Sequence, residues 1–491
     1  MIEKHSQLLL CCVALLLVIL SDSVSPLVKL PSKGSGVNNV APRAVMPRLA
    51  LISHQLLAPP ERVEPSEVSC EAEGSTGGPT CVFRRLYLYN GKLHFVVPTG
   101  ADTSTTAAQF NDVIISTTVK GNGGWGVNQW PTNKPHVVDV ATVEQWAGGA
   151  PVAAYTTLPL ILLSRLNPTN VYHRIWDDMA ISHALICRAL ALFAVAAGAA
   201  PRGTVPPLSA AAEANAQAFG DTVSYGSTWG GCTAGVVPSA AIAFVDGFHS
   251  SDLTDWLATS AEEVHFEWPL TSRLGAVLSL PFVVVGSQSA CIHHQYCFSE
   301  IASAPLVHFK RHFGQVWGMP SALPPPAAPR VVVFVKRKGR RQIKNMPELV
   351  AEFDKWGWTT RVVGPFEGVP LVDQAAAFAN ASAAVLAVGA EMGIAWLGLP
   401  TGSCAIVASP AGAQDGFANW AASKLSINVA NVVETFTSRD DPRIGLPMSE
   451  TYQADITISL RELRDVAWCL NQGPAAVRGT GFGNVYDLSP P

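Results

Sequence analysis

The chain has 491 residues, of which 48% are hydrophobic and 14% are charged. A chain of this length and composition can form two or three domains with buried cores. Its formal net charge of −4 at pH 7 argues against a general nucleic-acid binder, because such proteins normally carry a basic excess.

The first 30 residues predict a secretory targeting segment, 1–30. Lys4 and His5 precede an apolar run at 8–20. This run is shorter than the roughly 20 residues of a bilayer-spanning helix, so it suits the core of a signal peptide better. Residues 24–30 are again largely apolar and extend the segment towards a signal anchor. Both alternatives place the rest of the chain in the secretory lumen.

The lumen is an oxidising compartment, where disulfides are permitted. The chain has ten cysteines, two of them inside the apolar run. Among the other eight, nearness in sequence favours the pairs Cys70–Cys81 and Cys291–Cys297, although sequence alone does not fix the connectivity. No CxxC pair occurs, so a metal site is the weaker alternative, and we expect no metal and no other cofactor. One glycosylation sequon is present, starting at Asn380.

Residues 31–69 are rich in Pro, Ser, Val and Ala without a period, which predicts a stem or linker. A first α/β domain is predicted at 70–318. It begins with a hairpin at 81–98, whose turn is at Asn90-Gly91, and continues with loops and short strands at 99–150. Further strands are predicted at 158–164, 241–248 and 282–286. One helix begins near 170, and another is predicted at 250–262.

The helix that begins near 170 carries three candidate catalytic residues. His173 and Asp177 are four residues apart and share one helix face, and Asp178 lies beside them. Such a trio can supply an acid and a base at a cleft. A capping and salt-bridge arrangement with Arg174 explains the same residues and is favoured without further context. A metal site is a weaker alternative, since no further ligands occur at a recognisable spacing.

A Pro-rich linker at 319–330 separates this domain from a second α/β domain at 331–470, and 471–491 is a tail. Four short apolar runs predict strands at 331–335, 359–363, 383–388 and 404–409. Helical patterns lie between them at 346–357 and 371–381, and 452–470 predicts a strand and a final helix. This alternation is typical of βαβ units on a parallel sheet that is covered on both faces.

A basic loop follows the first strand of the second domain. It contains Lys336, Arg337, Lys338, Arg340 and Arg341. Ligands of open α/β sheets bind at the carboxyl ends of the strands, so the loop is either a solvated charge run or a phosphate site. No glycine-rich phosphate motif follows the strand, so Arg side chains would hold a phosphate through bidentate hydrogen bonds.

Three segments, in this order, resemble motifs of the glycosyltransferase 61 family, which includes plant xylan arabinosyl- and xylosyltransferases and secretory-pathway O-linked N-acetylglucosaminyltransferases. The likeness spans roughly 81–470. The segments are Asn170-Val-Tyr-His173-Arg-Ile-Trp-Asp177-Asp178, then Arg337-Lys-Gly-Arg-Arg341-Gln-Ile343-Lys-Asn345 with Glu348-Leu349, and then Val388-Gly389-Ala390-Glu391-Met392 running to Leu399-Pro400.

The resemblance implies a GT-B fold, with two Rossmann-like domains that face a cleft. It implies an inverting transferase that moves a sugar from a UDP-sugar donor to a glycan or glycoprotein acceptor. It also implies a type II membrane protein of the Golgi or ER with a lumenal catalytic part, which would be secreted if the N-terminal segment were cleaved.

The resemblance also assigns roles to residues. Arg337 and Arg341 would neutralise the leaving UDP in place of a metal, and Asp178 or Asp177 would be the base, with His173 in contact with substrate. The residues implied in donor binding are Arg337, Arg341, Asn345, Gly389, Ala390 and Glu391.

The chain departs from the family pattern at two positions. Val388 stands where the family has His, and Glu391 stands where it has Gly. These departures leave open a second class of function, a catalytically inactive family member that acts as a lumenal binding or scaffolding protein. A hydrolase is disfavoured, because no G-x-S-x-G nucleophile elbow occurs.

Overall fold

The structure is a computed structural model, and it describes these parts of the chain: 62–71, 80–109, 135–163, 170–196, 198–199, 227–244, 261–265, 276–285, 303–319, 330–411, 422, 424–434, 442–444, 446–466 and 468–471. All of them lie in one compact unit, Val45–Pro491. The targeting segment, the linker at 320–329, the predicted pair Cys291–Cys297 and the predicted helix at 250–260 lie outside the described residues.

The first half of the described chain forms a mixed sheet and a short ribbon. The strands are β1 (Glu67–Glu71), β2 (Thr80–Tyr89), β3 (Lys92–Val97), β4 (His136–Asp139), β5 (Ala153–Ala154), β6 (Leu160–Leu163), β7 (Thr228–Trp229), β8 (Cys232–Thr233), β9 (Ala241–Phe244), β10 (Glu263–His265) and β11 (Leu278–Val285). The sheet has the order β10-β9-β6-β11-β2-β3-β4, with β1 on β2 and β5 on β11, while β7 and β8 form the ribbon.

The mixed sheet combines a parallel part with a hairpin. Strands β10, β9, β6 and β11 are parallel neighbours, whereas β2 runs antiparallel to β11 and to β3. The hairpin turn has left-handed backbone at both central residues, Asn90 with φ 48° and Gly91 with φ 75°, as a type I′ turn requires. The predicted hairpin is therefore confirmed.

The second half forms a five-stranded parallel sheet. Its strands are β12 (Val331–Val335), β13 (Thr359–Val363), β14 (Ala383–Ala387), β15 (Cys404–Ser409) and β16 (Asn428–Val433). They lie in the order β13-β12-β14-β15-β16, and every pair is parallel. All side chains of β14 and β15 are buried, which explains why their sequences are continuously apolar.

The strand order of this sheet reverses between β12 and β14. The chain runs from β12 to β13 on one side and then crosses to β14 on the other side of β12. The connections after β12 and β14 therefore leave in opposite directions. In doubly wound sheets with this order, ligands bind at the carboxyl ends of the two strands where the order reverses. The structure shows an α/β fold, and it places the basic loop at such a point.

Ten α-helices and one π-helix lie in the described part of the chain. The π-helix, His173–Ala180, runs directly into the third α-helix. The α-helices are α1 (Thr103–Gln109), α2 (Val140–Trp146), α3 (Ile181–Ala196), α4 (Ser303–Val316), α5 (Met346–Lys355), α6 (Leu371–Ala376), α7 (Glu391–Gly398), α8 (Met448–Thr451), α9 (Leu460–Asp465) and α10 (Trp468–Asn471). Among the described helices, none is both long and apolar enough to cross a bilayer.

One apolar core joins the two sheets. It contains Val284 of β11, Val333 of β12, and Trp176 and Trp396 from the helices around them, all buried. A buried hydrogen bond reinforces this contact, since Trp176 Nε1 donates to the carbonyl of Gly393 at 2.9 Å. The π-helix therefore packs directly on α7, and the division into two domains stays a prediction.

Two disulfides link elements that are far apart in the sequence. Cys187 in α3 is bonded to Cys232 in β8, and Cys404 in β15 is bonded to Cys469 in α10. Proximity in sequence predicted neither pair, because 45 and 65 residues separate the partners. Cys70 and Cys81 are register partners in β1 and β2, and Cys81 is disulfide-bonded.

The structure differs from the predictions in four regions. The fifth strand of the second sheet, β16, was not predicted. Residues 99–150 contain α1 and α2, where loops and strands were expected, and Asp139 caps α2 by accepting from Thr142 N at 2.9 Å. The helix predicted at 371–381 ends at Ala376. The strand predicted near 452–459 is wrong, since this segment makes only an isolated bridge between Ile456 and Ile343.

The contact between the π-helix and α7 predicts that a side chain at position 393 destabilises the fold. A Cβ atom there would lie 2.8 Å from Tyr172 Cα, and backbone cannot yield easily. We expect Gly393→Ala to lower the free energy of unfolding by about 1–3 kcal/mol, measured by urea denaturation. Gly314→Ala in α4 is the matched control, because its Cβ would meet only Met319 O at 3.6 Å. Equal urea midpoints for the two variants would refute this packing.

Candidate functional site

The basic loop and the turn after β14 meet through Arg337. Arg337 Nη1 donates to the backbone carbonyl of Val388 at 2.8 Å, and Nη2 lies 3.1 Å from Glu391 Oε2. Arg337 comes two residues after β12 ends, and Val388 comes one residue after β14 ends. A single side chain thus bridges the carboxyl ends of the two strands where the sheet order reverses.

Gly389 makes this contact possible. Its backbone has φ 152°, a conformation that L side chains rarely adopt. A Cβ atom at this position would collide with Arg337 Nη1 and with the guanidinium carbon. The glycine of the third motif is therefore explained by the close approach of Arg337 to the backbone.

The ion pair of Arg337 and Glu391 is largely removed from solvent, with side-chain exposures of 10% and 21%. Burial lowers the pKa of Arg337, the Glu391 carboxylate raises it, and Arg341 lowers it again. A guanidinium stays charged despite such shifts. Arg337 Nε is buried and has no hydrogen-bond partner among the described residues.

Arg341 also turns inward. It is 6% exposed, its backbone is left-handed with φ 57°, and its guanidinium carbon lies 4.6 Å from the centre of the Tyr452 ring. Its Nε, like that of Arg337, is buried without a hydrogen-bond partner in the described part of the chain. Two cations of the loop therefore face the protein.

The other cations of the loop face solvent. Lys336 and Arg340 are exposed, and Lys338 pairs with Glu367 at 3.1 Å, with side-chain exposures of 70% and 67%. The two interpretations of the loop therefore apply to different residues. Lys336, Lys338 and Arg340 are a solvated charge run, whereas Arg337 and Arg341 are largely removed from solvent.

Asn345 acts on the backbone of a distant segment. Its Nδ2 donates to Ile458 O at 2.7 Å and to Glu348 Oε2 at 3.2 Å, and its Oδ1 accepts from Ile458 N at 3.2 Å. Asp455 adds a parallel bond by accepting from Gln342 N at 2.9 Å. These bonds hold the 455–458 segment beside the loop, which gives Asn345 a positioning role and explains why the segment does not form a strand.

The π-helix brings the first motif to the same place. Asn170 starts it, since Asn170 Oδ1 accepts from Tyr172 N at 3.0 Å. The backbone of His173, Asp177 and Asp178 belongs to this helix, while their side chains lie outside the described part of the structure. π-Helices are rare and often occur at functional sites.

The neighbour of the π-helix is α7, whose first residue is Glu391 and which follows directly on Ala390. All three sequence motifs therefore meet within one contact region. The amino end of α7 also carries the partial positive charge of a helix N-terminus, which favours an anion such as the Glu391 carboxylate. Tyr452, by contrast, belongs to none of the motifs, and no sequence signal connects it with the loop.

The chain matches no protein-family model and no curated protein. Its function is therefore inferred from the geometry of this site and from its motifs. The loop after β12 holds two guanidinium groups that face the protein, and the carboxylate of Glu391 pairs with one of them.

The contacts of Asn345 predict that it stabilises the fold without touching a ligand. We expect Asn345→Ala to lower the free energy of unfolding by about 1–3 kcal/mol, because two backbone groups of Ile458 lose their partner. The control is Asn380→Ala, an exposed position, with an expected change within about 0.5 kcal/mol. Urea denaturation measures both. Unchanged stability of Asn345→Ala, together with lost phosphate binding, would instead make Asn345 a direct ligand.

Proposed function

We propose that the chain is an inverting glycosyltransferase of the secretory pathway that transfers a sugar from a UDP-sugar to a glycan or glycoprotein acceptor. The observation that carries the proposal is the position of Arg337 and Arg341 at the reversal point of a parallel sheet. Two contacts support it, since Arg337 contacts the third motif at Val388 and Glu391 and the first motif packs on α7.

The donor diphosphate would lie against the two inward-facing guanidinium groups. Each has a buried Nε without a hydrogen-bond partner among the described residues. Guanidinium groups hold phosphate oxygens through short, charge-assisted bonds. In a transfer reaction they would also neutralise the negative charge that develops on UDP as it leaves. The proposal requires no metal in this step.

The proposed reaction is a single displacement. Asp178 or Asp177 would accept the proton of an acceptor hydroxyl, the hydroxyl oxygen would attack the anomeric carbon, and the bond to the UDP oxygen would break on the opposite face. His173 would contact the substrate. The packing of the π-helix on α7 supports this assignment, because it brings the backbone of these residues near the Arg337 region.

A GT-B architecture is part of the proposal. The second sheet, with its reversal point between β12 and β14, would bind the donor, and the mixed sheet would carry the acceptor side. The disulfide Cys404–Cys469 supports a lumenal location, since disulfides persist in oxidising compartments. An anchor in a Golgi or ER membrane would depend on the N-terminal segment.

One observation favours the second candidate, a non-catalytic lumenal binding protein. Glu391 already neutralises Arg337 at 3.1 Å, so a phosphate must displace or accommodate a carboxylate. Val388 contributes only its carbonyl to Arg337, because its side chain is fully buried in the apolar core. A fold that kept the site but lost turnover would show these features.

A test of UDP binding distinguishes both candidate functions from functions that involve no nucleotide. UDP at millimolar concentration should raise the melting temperature of the wild-type chain by mass action, measured by differential scanning fluorimetry. Arg337→Ala should abolish the shift, because it removes a buried donor to the phosphate. Lys338→Ala is the matched control, since it removes one positive charge from the same loop but at a side chain that is 70% exposed.

Two results would count against the phosphate site. One is a wild-type melting temperature that UDP leaves unchanged. The other is an equal loss of the shift in Arg337→Ala and Lys338→Ala, which would mean that the loop acts only through its net charge. Product formation with UDP-xylose, UDP-arabinose or UDP-N-acetylglucosamine would then distinguish a transferase from a binding protein.

The Glu391 carboxylate would compete with a phosphate for Arg337, so we expect that removing its charge strengthens the binding of UDP. Glu391→Gln keeps the size of the side chain and removes the charge that competes for Arg337. We expect UDP to bind about 3- to 10-fold more tightly, which corresponds to about 0.7–1.4 kcal/mol, as measured by isothermal titration calorimetry. Weaker binding of UDP by Glu391→Gln would show that Glu391 contacts the nucleotide itself.

A further inference from the structure

A second group of chemically active side chains lies in the core beyond the π-helix. His183 and Cys187 are four residues apart on α3 and share one helix face, His308 lies on α4, and Cys232 lies on β8. All four are buried, with exposures of 0%, 0%, 2% and 4%. None of them takes part in the proposed transfer reaction.

The nitrogen and sulfur atoms of this group converge. His183 Nε2 lies 3.0 Å from His308 Nδ1 and 3.5 Å from Cys187 Sγ, and all three atoms lie within 4.8 Å of one another. In a tetrahedral zinc site, Zn–N and Zn–S bond lengths of about 2.0 and 2.3 Å place two nitrogens about 3.3 Å apart and a nitrogen and a sulfur about 3.5 Å apart. The observed separations are close to both values.

The candidate for the fourth ligand is Cys232, because it is bonded to Cys187 in a disulfide. A disulfide sulfur is not a thiolate, and the thiolate is the form of cysteine that binds metals. In the disulfide form the contact between the two rings is a hydrogen bond between imidazoles. In the dithiol form the two sulfurs can separate to the roughly 3.8 Å that two Zn–S bonds in a tetrahedron require.

The β7–β8 turn is held beside α3 by contacts other than the disulfide. Gly231 N donates to Cys187 O at 2.7 Å. Gly230, with φ 57°, approaches so closely that a Cβ there would lie 2.6 Å from the same carbonyl oxygen. Cys232 therefore stays within reach of Cys187 after the sulfur–sulfur bond is broken.

Each of the two imidazoles brings one ring nitrogen to the cluster, His183 through Nε2 and His308 through Nδ1. The third imidazole, His312, stacks on His183, and its Nδ1 accepts from Gly235 N at 3.1 Å.

We propose that His183, Cys187, Cys232 and His308 bind one zinc ion when the disulfide is reduced, and that the disulfide is the metal-free state of the same site. Reduction by two thiol molecules, or by a phosphine and water, adds two electrons and two protons and yields two thiols. The two thiol molecules become a disulfide, and the phosphine takes the oxygen of the water and becomes a phosphine oxide. Zinc binding then releases the two thiol protons. The site is independent of the proposed transferase activity.

Cobalt(II), which reports its ligands through absorption, tests the proposal on the full chain. The wild-type chain is reduced with a phosphine without oxygen, freed of reductant and titrated with cobalt(II), and then with zinc(II). We expect a thiolate-to-cobalt charge-transfer band and tetrahedral d–d bands with one cobalt per chain, which one equivalent of zinc abolishes. The oxidised chain should show neither band.

Cys232→Ser and Cys469→Ser are the matched variants, because each removes one cysteine of an observed disulfide. Cys232→Ser should lose the bands, and Cys469→Ser should keep them. Circular dichroism checks that both are folded, and His308→Ala provides a second loss variant without changing a cysteine. The absence of bands in the reduced wild-type chain overturns the proposal, as do equal spectra of the two cysteine variants or equal binding by the oxidised chain.

Discussion

The close approach of the Arg337 guanidinium to the backbone at Val388 and Gly389 is the constraint on which the candidate site depends. It ties the carboxyl end of β12 to that of β14, the two strands between which the strand order reverses. Because only a residue without a side chain fits at position 389, the start of α7 is held at a fixed distance from the loop. The carboxylate of Glu391 and the contact of α7 with the π-helix follow from that position.

Four of the five strands of the second sheet could be predicted from the sequence. β12, β14 and β15 are almost entirely buried, so continuous apolar runs such as 331–335 and 404–409 indicate where these strands begin and end. β16 was not predicted, because its burial is only partial and its sequence contains two Asn residues. Elements that depend on single side-chain contacts could not be predicted. The helix α2 is short and begins at a cap by Asp139, and the 452–459 segment has a strand-like composition, but the amide of Asn345 holds its backbone instead.

The candidate site, too, could be predicted from the sequence only in part. The charge of the basic loop is visible in the sequence, and so is its place after a strand. Which cations turn inward depends on backbone angles such as the left-handed φ of Arg341, and the platform under Arg341 comes from Tyr452, a residue far along the chain. The cluster of His183 and His308 could not be predicted from the sequence for a similar reason, since 125 residues separate these two histidines.

The apolar core shared by the two sheets has a consequence for protein engineering. The core between the two halves contains three large aromatic side chains, Trp176, Phe309 and Trp396. A fragment that ends in the Pro-rich segment at 319–330 would expose such side chains to water. Exposed apolar patches of this kind promote aggregation. The two halves should therefore not be interchangeable with halves of other proteins, and a chimaera would need a matching set of core residues to fold.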